Sequence, residues 1–102
     1  MADMLLMSAI VFSGRVWTLR IPVVAEILET LDGIQMRCAL LGIDILAPDR
    51  SAAYKDFQEE FSVAYELYYD EPDEALTLDA LEIKQHLHLV IASVDDVAGK
   101  EE

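Results

Sequence analysis

Positive charge is scarce in this sequence. Seven lysines and arginines stand against twenty aspartates and glutamates, a formal net charge of −13 over 102 residues. Nucleic-acid phosphate has to be neutralised by Lys and Arg, so direct nucleic-acid binding is not expected. An anionic membrane surface is disfavoured for the same reason. Cysteine is nearly absent too. Cys38 is alone, which excludes an internal disulfide and makes a reducing cytoplasm the default compartment. Long apolar runs are missing: the longest candidate, Met4 to Phe12, has nine residues, where a membrane helix needs about 20. The Met-Ala-Asp before it carries an acid where a secretory signal requires positive charge, so no signal peptide is expected.

Catalytic templates are missing as well. With four glycines there is no phosphate-cradling loop, and Cys-x-x-Cys, His-Glu-x-x-His and Gly-x-Ser-x-Gly do not occur. The acids after Tyr69 do not form a calcium loop. Counting from Asp70 puts Pro72 at the third position and Leu81 where a bidentate glutamate is required. His86 and His88 would share a face on a strand. On a helix two residues turn through about 200°, which parts them by about 160°. No further ligands suggest themselves, so no metal and no cofactor is expected. Cys38 falls on an apolar stripe, where a buried, inert thiol is the usual outcome. Carboxylates are plentiful, but none is marked as buried, and a non-enzymatic protein is expected.

What is present is apolar content and one-sided acidity. Hydrophobic residues make up 54% of the chain, enough for one packed domain. Residues 1–94 are expected to form it, with 95–102, "DDVAGKEE", as a polar tail. Residues 1–48 carry five acids and three bases, whereas residues 49–102 carry fifteen acids and four bases. Between Lys55 and Lys84 there are ten acids and no base. A basic protein partner fits this distribution electrostatically.

Alternation of Trp17, Leu19 and Ile21 after the Ser13–Gly14 turn signal predicts a hairpin over about residues 4–21. Ile27, Leu31, Ile34, Cys38, Leu41 and Ile45 recur at helical spacing, which predicts an amphipathic helix over 22–42 that Gly42 ends. Asp49 or Ser51 caps a helix over 51–69, and Pro72 breaks the chain after it. Thr77 caps a third helix over 78–94. The expectation is a mostly helical α+β fold: one hairpin on three helices. Two segments fit either state. A helical 4–12 would give an all-α bundle instead, and Leu87, Leu89 and Ile91 also alternate as a strand would.

Six of the eight aromatic residues lie between Tyr54 and Tyr69. At about 100° per residue, Tyr54, Phe57, Phe61, Tyr65 and Tyr68 share an arc of roughly 80°, a core-facing stripe. Asp56, Glu59, Glu66 and Asp70 fall on the opposite side with Val63 among them and Leu67 at the border. An apolar centre rimmed by charge is the pattern of a protein-binding patch. Tyr69, about 100° from Tyr68, lies off the stripe beside acids and is a candidate interface anchor. The candidate partner-binding residues are therefore Glu59, Val63, Glu66, Tyr69, Asp70, Glu71, Asp73 and Glu74.

Over fewer than ten residues, "ELYYDEPDE" (66–74) resembles the acidic Tyr-Tyr segment of the immunity proteins that neutralise nuclease colicins. The N-terminal apolar segment departs from that family's pattern. The resemblance implies only that such a surface can block a basic protein. Two functions are consistent with these features. One is a small acidic protein that binds and inhibits or escorts a basic partner, such as a protein that itself binds nucleic acid. The other is a homo-oligomeric structural subunit or assembly chaperone, motivated by the apolar excess of Met36, Leu40, Leu89 and the N-terminal run.

Overall fold

A computed structural model describes residues 2–96, which form five strands and two α-helices. β1 (Ala2–Phe12) and β2 (Arg15–Thr30) make a long antiparallel hairpin. Its two-residue turn, Ser13–Gly14, has positive φ at both positions (54° and 80°), the geometry that matches strand twist in a tight hairpin. Inward positions in β1 are Leu5, Met7, Ile10 and Phe12. The alternation slips by one at Ser8, where the pairing with β2 is also irregular. Pro22 lies in this interruption of β2, where its missing N–H disturbs no regular ladder.

β2 then carries Val23, Ala25 and Ile27 inward and reverses at Thr30–Gly33 into β3 (Gly33–Cys38). A 3-10 turn at Ala39–Leu41 leads to β4 (Ile43–Ala47). The sheet order is β1-β2-β3-β4, all antiparallel. β5 (Ile91–Asp96) pairs with the first half of β2, from Arg15 opposite Asp96 to Leu19 opposite Ile91.

The helix expected over 22–42 is instead strand, turn and strand, and the fold is a sheet-rich α+β fold with two α-helices, neither mostly helical nor an all-α bundle. The helical spacing from Ile27 to Ile45 is a coincidence of three period-2 strands joined by two turns. Leu31, the second member of that supposed seam, is fully exposed at the turn tip. The stronger local signals were Asp32-Gly33 and the β-branched Val23, Val24, Ile27 and Ile34. Gly33 has φ +138°, and a Cβ there would lie 2.3 Å from the Ala47 carbonyl oxygen. Only glycine fits, which pins the start of β3 against the end of β4.

α1 (Arg50–Tyr68) begins at Asp49, whose carboxylate accepts from the Ala52 amide at 2.8 Å. Phe57 and Phe61 are fully buried, flanked by the small Ala53 and Ala64 that let the helix approach the sheet. Each buried phenylalanine stabilises the fold by about 1.5–3 kcal/mol through area removed from water. Trp17 from β2 meets Phe61 and Tyr65 edge-on, with centroids 5.3 and 5.5 Å apart. α2 (Leu78–Val90) is capped by Thr77, which accepts from the Ala80 amide, and it buries Leu87 and Val90. It stops four residues short of the expected 94. Ile91 turns extended, and its carbonyl accepts from Arg20 Nη2 at 2.8 Å as β5 enters the sheet. Asp95 and Asp96, expected in a polar tail, belong to β5, and the remainder of that tail lies outside the described residues.

Both helices cover the same face of the sheet, which holds the core. Among the described residues nothing covers the other face. Met4, Leu6, Val24 and Leu46 are exposed there, beside a cross-strand row of Glu26, Arg37 and Asp44. Met36, part of the expected surplus, is in the core, while Leu40 and Leu89 are exposed.

Candidate protein-interaction surface

The eight candidate residues divide into three groups in space. Glu59, Val63, Glu66 and Asp70 are all exposed along the outward side of α1, because residues three or four apart stack on one helix face. Phe57 and Phe61 anchor the opposite side in the core and so fix which way the acids point. Val63 is 44% exposed and Leu67 53%. Together they border a shallow groove of about 150 Å³ that runs to Leu41, Ile43 and Ile83, with Glu60 at its rim. The apolar part of this surface therefore lies toward β4 and α2, and the acids flank it.

Glu66 is tied down. Its carboxylate accepts from Arg15 Nη1, and Arg15 Nε donates to Asp96 at 2.8 Å. The same guanidinium lies over the rings of Trp17 and Tyr65, at 5.9 and 5.8 Å. One cation thus holds two acids from α1 and β5 and leaves the cluster at −1. Glu59 and Asp70 make no ion pair among the described residues, so they present full charge to solvent.

Tyr69 is placed differently from the exposed acids. Its ring is half-buried, stacked on His88 with centroids 3.9 Å apart and planes within 9°, and it meets Tyr65 at 4.6 Å with the planes tilted by 30°. His88 Nε2–H donates to the Tyr69 carbonyl at 2.9 Å. The ring closes the end of α1 against α2. Burial raises the Tyr65 phenol above its ordinary pKa, and the negative charge of Asp70 adds to this.

Glu71, Asp73 and Glu74 form the loop between the helices, and all three are exposed. Lys84 folds back from α2 and donates to the Glu71 carbonyl at 2.6 Å and to the Asp73 carboxylate at 2.7 Å. The lysine that ends the base-free run is therefore the residue that fastens the acidic loop. Arg15, Lys84 and His88 shape this surface, and none was singled out as a partner-surface residue from sequence. Their partners are 51, 11 and 19 residues away in the chain, beyond the reach of any periodicity.

His86 and His88 lie on α2 and serve different segments, since His86 Nδ1–H donates to the Leu40 carbonyl at 2.6 Å. Among the described residues no group of His, Cys, Asp and Glu is placed to hold a metal ion. Burial pushes the Cys38 thiol up, away from the reactive thiolate. Among the described residues no helix is long and apolar enough to cross a membrane. No protein-family model, no curated protein and no solved structure matches the chain.

Proposed function

We propose that this is a small, non-enzymatic interaction protein of the cytoplasm that binds a basic protein partner and inhibits or escorts it through the acidic outward side of α1 and the loop after it. One observation carries this proposal: the ten acids between Lys55 and Lys84 belong to the helical layer, with Glu59, Val63, Glu66 and Asp70 exposed on one side of α1. Acids gathered on one side steer a cationic partner during encounter. Val63 and Leu67, with the groove beside them, supply the desolvated contact that charge alone does not give. The loop residues Glu71, Asp73 and Glu74 extend the field, held in place by Lys84. Tyr69 supports the surface from below by fixing the end of α1, and its stacked ring adds to the contact only at its edge.

The partner expected is a protein whose own binding face is basic, such as one that grips nucleic acid. The test is affinity capture from the native host with mass spectrometry, using the wild-type chain and a Glu59→Gln, Glu66→Gln, Asp70→Asn variant. A basic protein retained by the wild type and lost by the variant, with an association rate that falls steeply between low and physiological salt, is the expected outcome. Partners that bind both chains equally, or whose binding ignores salt, would overturn the proposal.

A further inference from the structure

β1 is an unusual edge. It stands first in the sheet order, and among the described residues its only strand neighbour is β2. One side of its backbone therefore has no ladder. Natural proteins blunt such edges with charge, proline or short length. The other edges here follow that rule: β4 has five residues with Asp44 among them and Pro48 behind it, and β5 ends in Asp95 and Asp96. β1 has eleven residues, and from Met4 to Phe12 none is ionisable.

We propose that β1 pairs antiparallel with β1 of a second copy across a two-fold axis, making a ten-stranded sheet, independently of the acidic helical face. Charge selects this occupant. Two copies of a chain at −13 repel wherever their acidic helical layers meet. Met4 to Phe12 is a stretch where they approach with no like charges facing, and it offers a basic partner nothing to pair with. The strand is also self-complementary. Because the alternation slips at Ser8, Met4, Leu6, Ala9 and Val11 point to the bare face, and Leu5, Ile10 and Phe12 to the helical face. Setting Met4 opposite Val11 of the second copy, and Leu6 opposite its Ala9, keeps like faces together on both sides of the slip, with Met7 and Ser8 meeting irregularly at the two-fold axis. Leu5 then meets the copy's Ile10 on the helical side. The seam is about 30 Å long. It gathers apolar side chains that the monomer leaves exposed on one face (Met4 66%, Leu6 64%, Val11 48%) and half-buried on the other (Leu5, Phe12).

The experiment is light scattering with size-exclusion chromatography on the full chain at low and high salt. It is accompanied by hydrogen exchange of the wild type across a concentration series. The expected mass is twice 11.4 kDa, with dimerisation tighter at high salt because screening weakens repulsion between the acidic layers. A Leu6→Glu, Ala9→Glu variant places like charges opposite each other at both symmetry-related positions, and it should weaken the dimer at least about tenfold. Leu46→Glu, on the same bare face but on β4, should leave it intact. In the wild type, β1 amides that exchange freely in dilute solution should become protected as the dimer forms. This readout holds even if the double variant fails to fold. A monomer at all concentrations overturns the proposal. So does a dimer that Leu46→Glu breaks and the double variant does not, which would mean face-to-face stacking, or a dimer with no concentration-dependent protection in β1.

Discussion

α1 and β1 each bury one side in the same core and leave the other to solvent, and their outward sides are opposites. The outward side of α1 carries Glu59, Glu66 and Asp70 around Val63, while the outward side of β1 is Met4, Leu6, Ala9 and Val11. The core treats both alike: Phe61 from the helix and Ile10 from the strand are fully buried. Core packing therefore does not set the difference, which lies in the outward residues alone. An acidic surface favours an unlike, basic partner and weakens in salt. A neutral apolar edge favours its own copy, and salt helps it by screening the rest of the molecule.

The largest effects lie in the core that α1 and β1 share. Trp17→Ala and Phe61→Ala each empty a fully buried aromatic site, and each should cost about 3–5 kcal/mol in denaturant unfolding. Leu6→Ala, on the outward side of β1, should cost under about 1 kcal/mol when measured on dilute, monomeric protein. Gly33→Ala comes next. The added Cβ meets the Ala47 carbonyl at a φ that side chains avoid, and a loss of about 1–3 kcal/mol is expected in the same measurement. Asp49→Ala removes the N-cap of α1 and should cost about 1 kcal/mol, read as an earlier thermal midpoint.

Neutralising Glu59 and Asp70 should leave stability within about 0.5 kcal/mol, since both are exposed and without ion pairs among the described residues. A larger change would mean that these acids are structural and would blur the contrast with β1. The smallest effect concerns Tyr65. Its phenol is raised above the ordinary pKa of about 10 by burial and by Asp70. A raised pKa keeps the proton longer in the folded chain. The stability tied to it is thus complete below about pH 10 and is lost as pH rises through the folded value. An ultraviolet absorbance titration should show a late phenol phase for Tyr65 that Tyr65→Phe removes and Asp70→Asn moves earlier.

Legibility in the sequence followed the range of the interaction. The two helices past residue 49 were readable because cap, stripe and terminator are local: Asp49, Phe57 and Phe61, Pro72, Thr77. The strands from Val23 to Ala47 were not, because Ile27, Ile34, Cys38 and Leu41 satisfied a helical period by accident. The Asp32-Gly33 turn divides them, yet the accidental period runs straight across it. The switch from helix to strand at Val90 is invisible locally, since "HLHLVIASV" fits both states. Pairing with β2 and the hydrogen bond from Arg20 decide it. At the candidate surface, helical periodicity placed Glu59, Val63, Glu66 and Asp70 together. It did not show that Arg15 restrains Glu66, that Lys84 fastens Asp73, or that Tyr69 stacks on His88.

The central claim is that the acidic side of α1 recruits a basic protein by charge. Its most direct test is the association rate between the captured partner and the chain across a salt series, for wild type and for the variant neutral at positions 59, 66 and 70. The wild-type rate should fall by at least about tenfold as salt rises, and the variant should start slow and change little. Equal rates for the two chains, or a wild-type rate indifferent to salt, would contradict it.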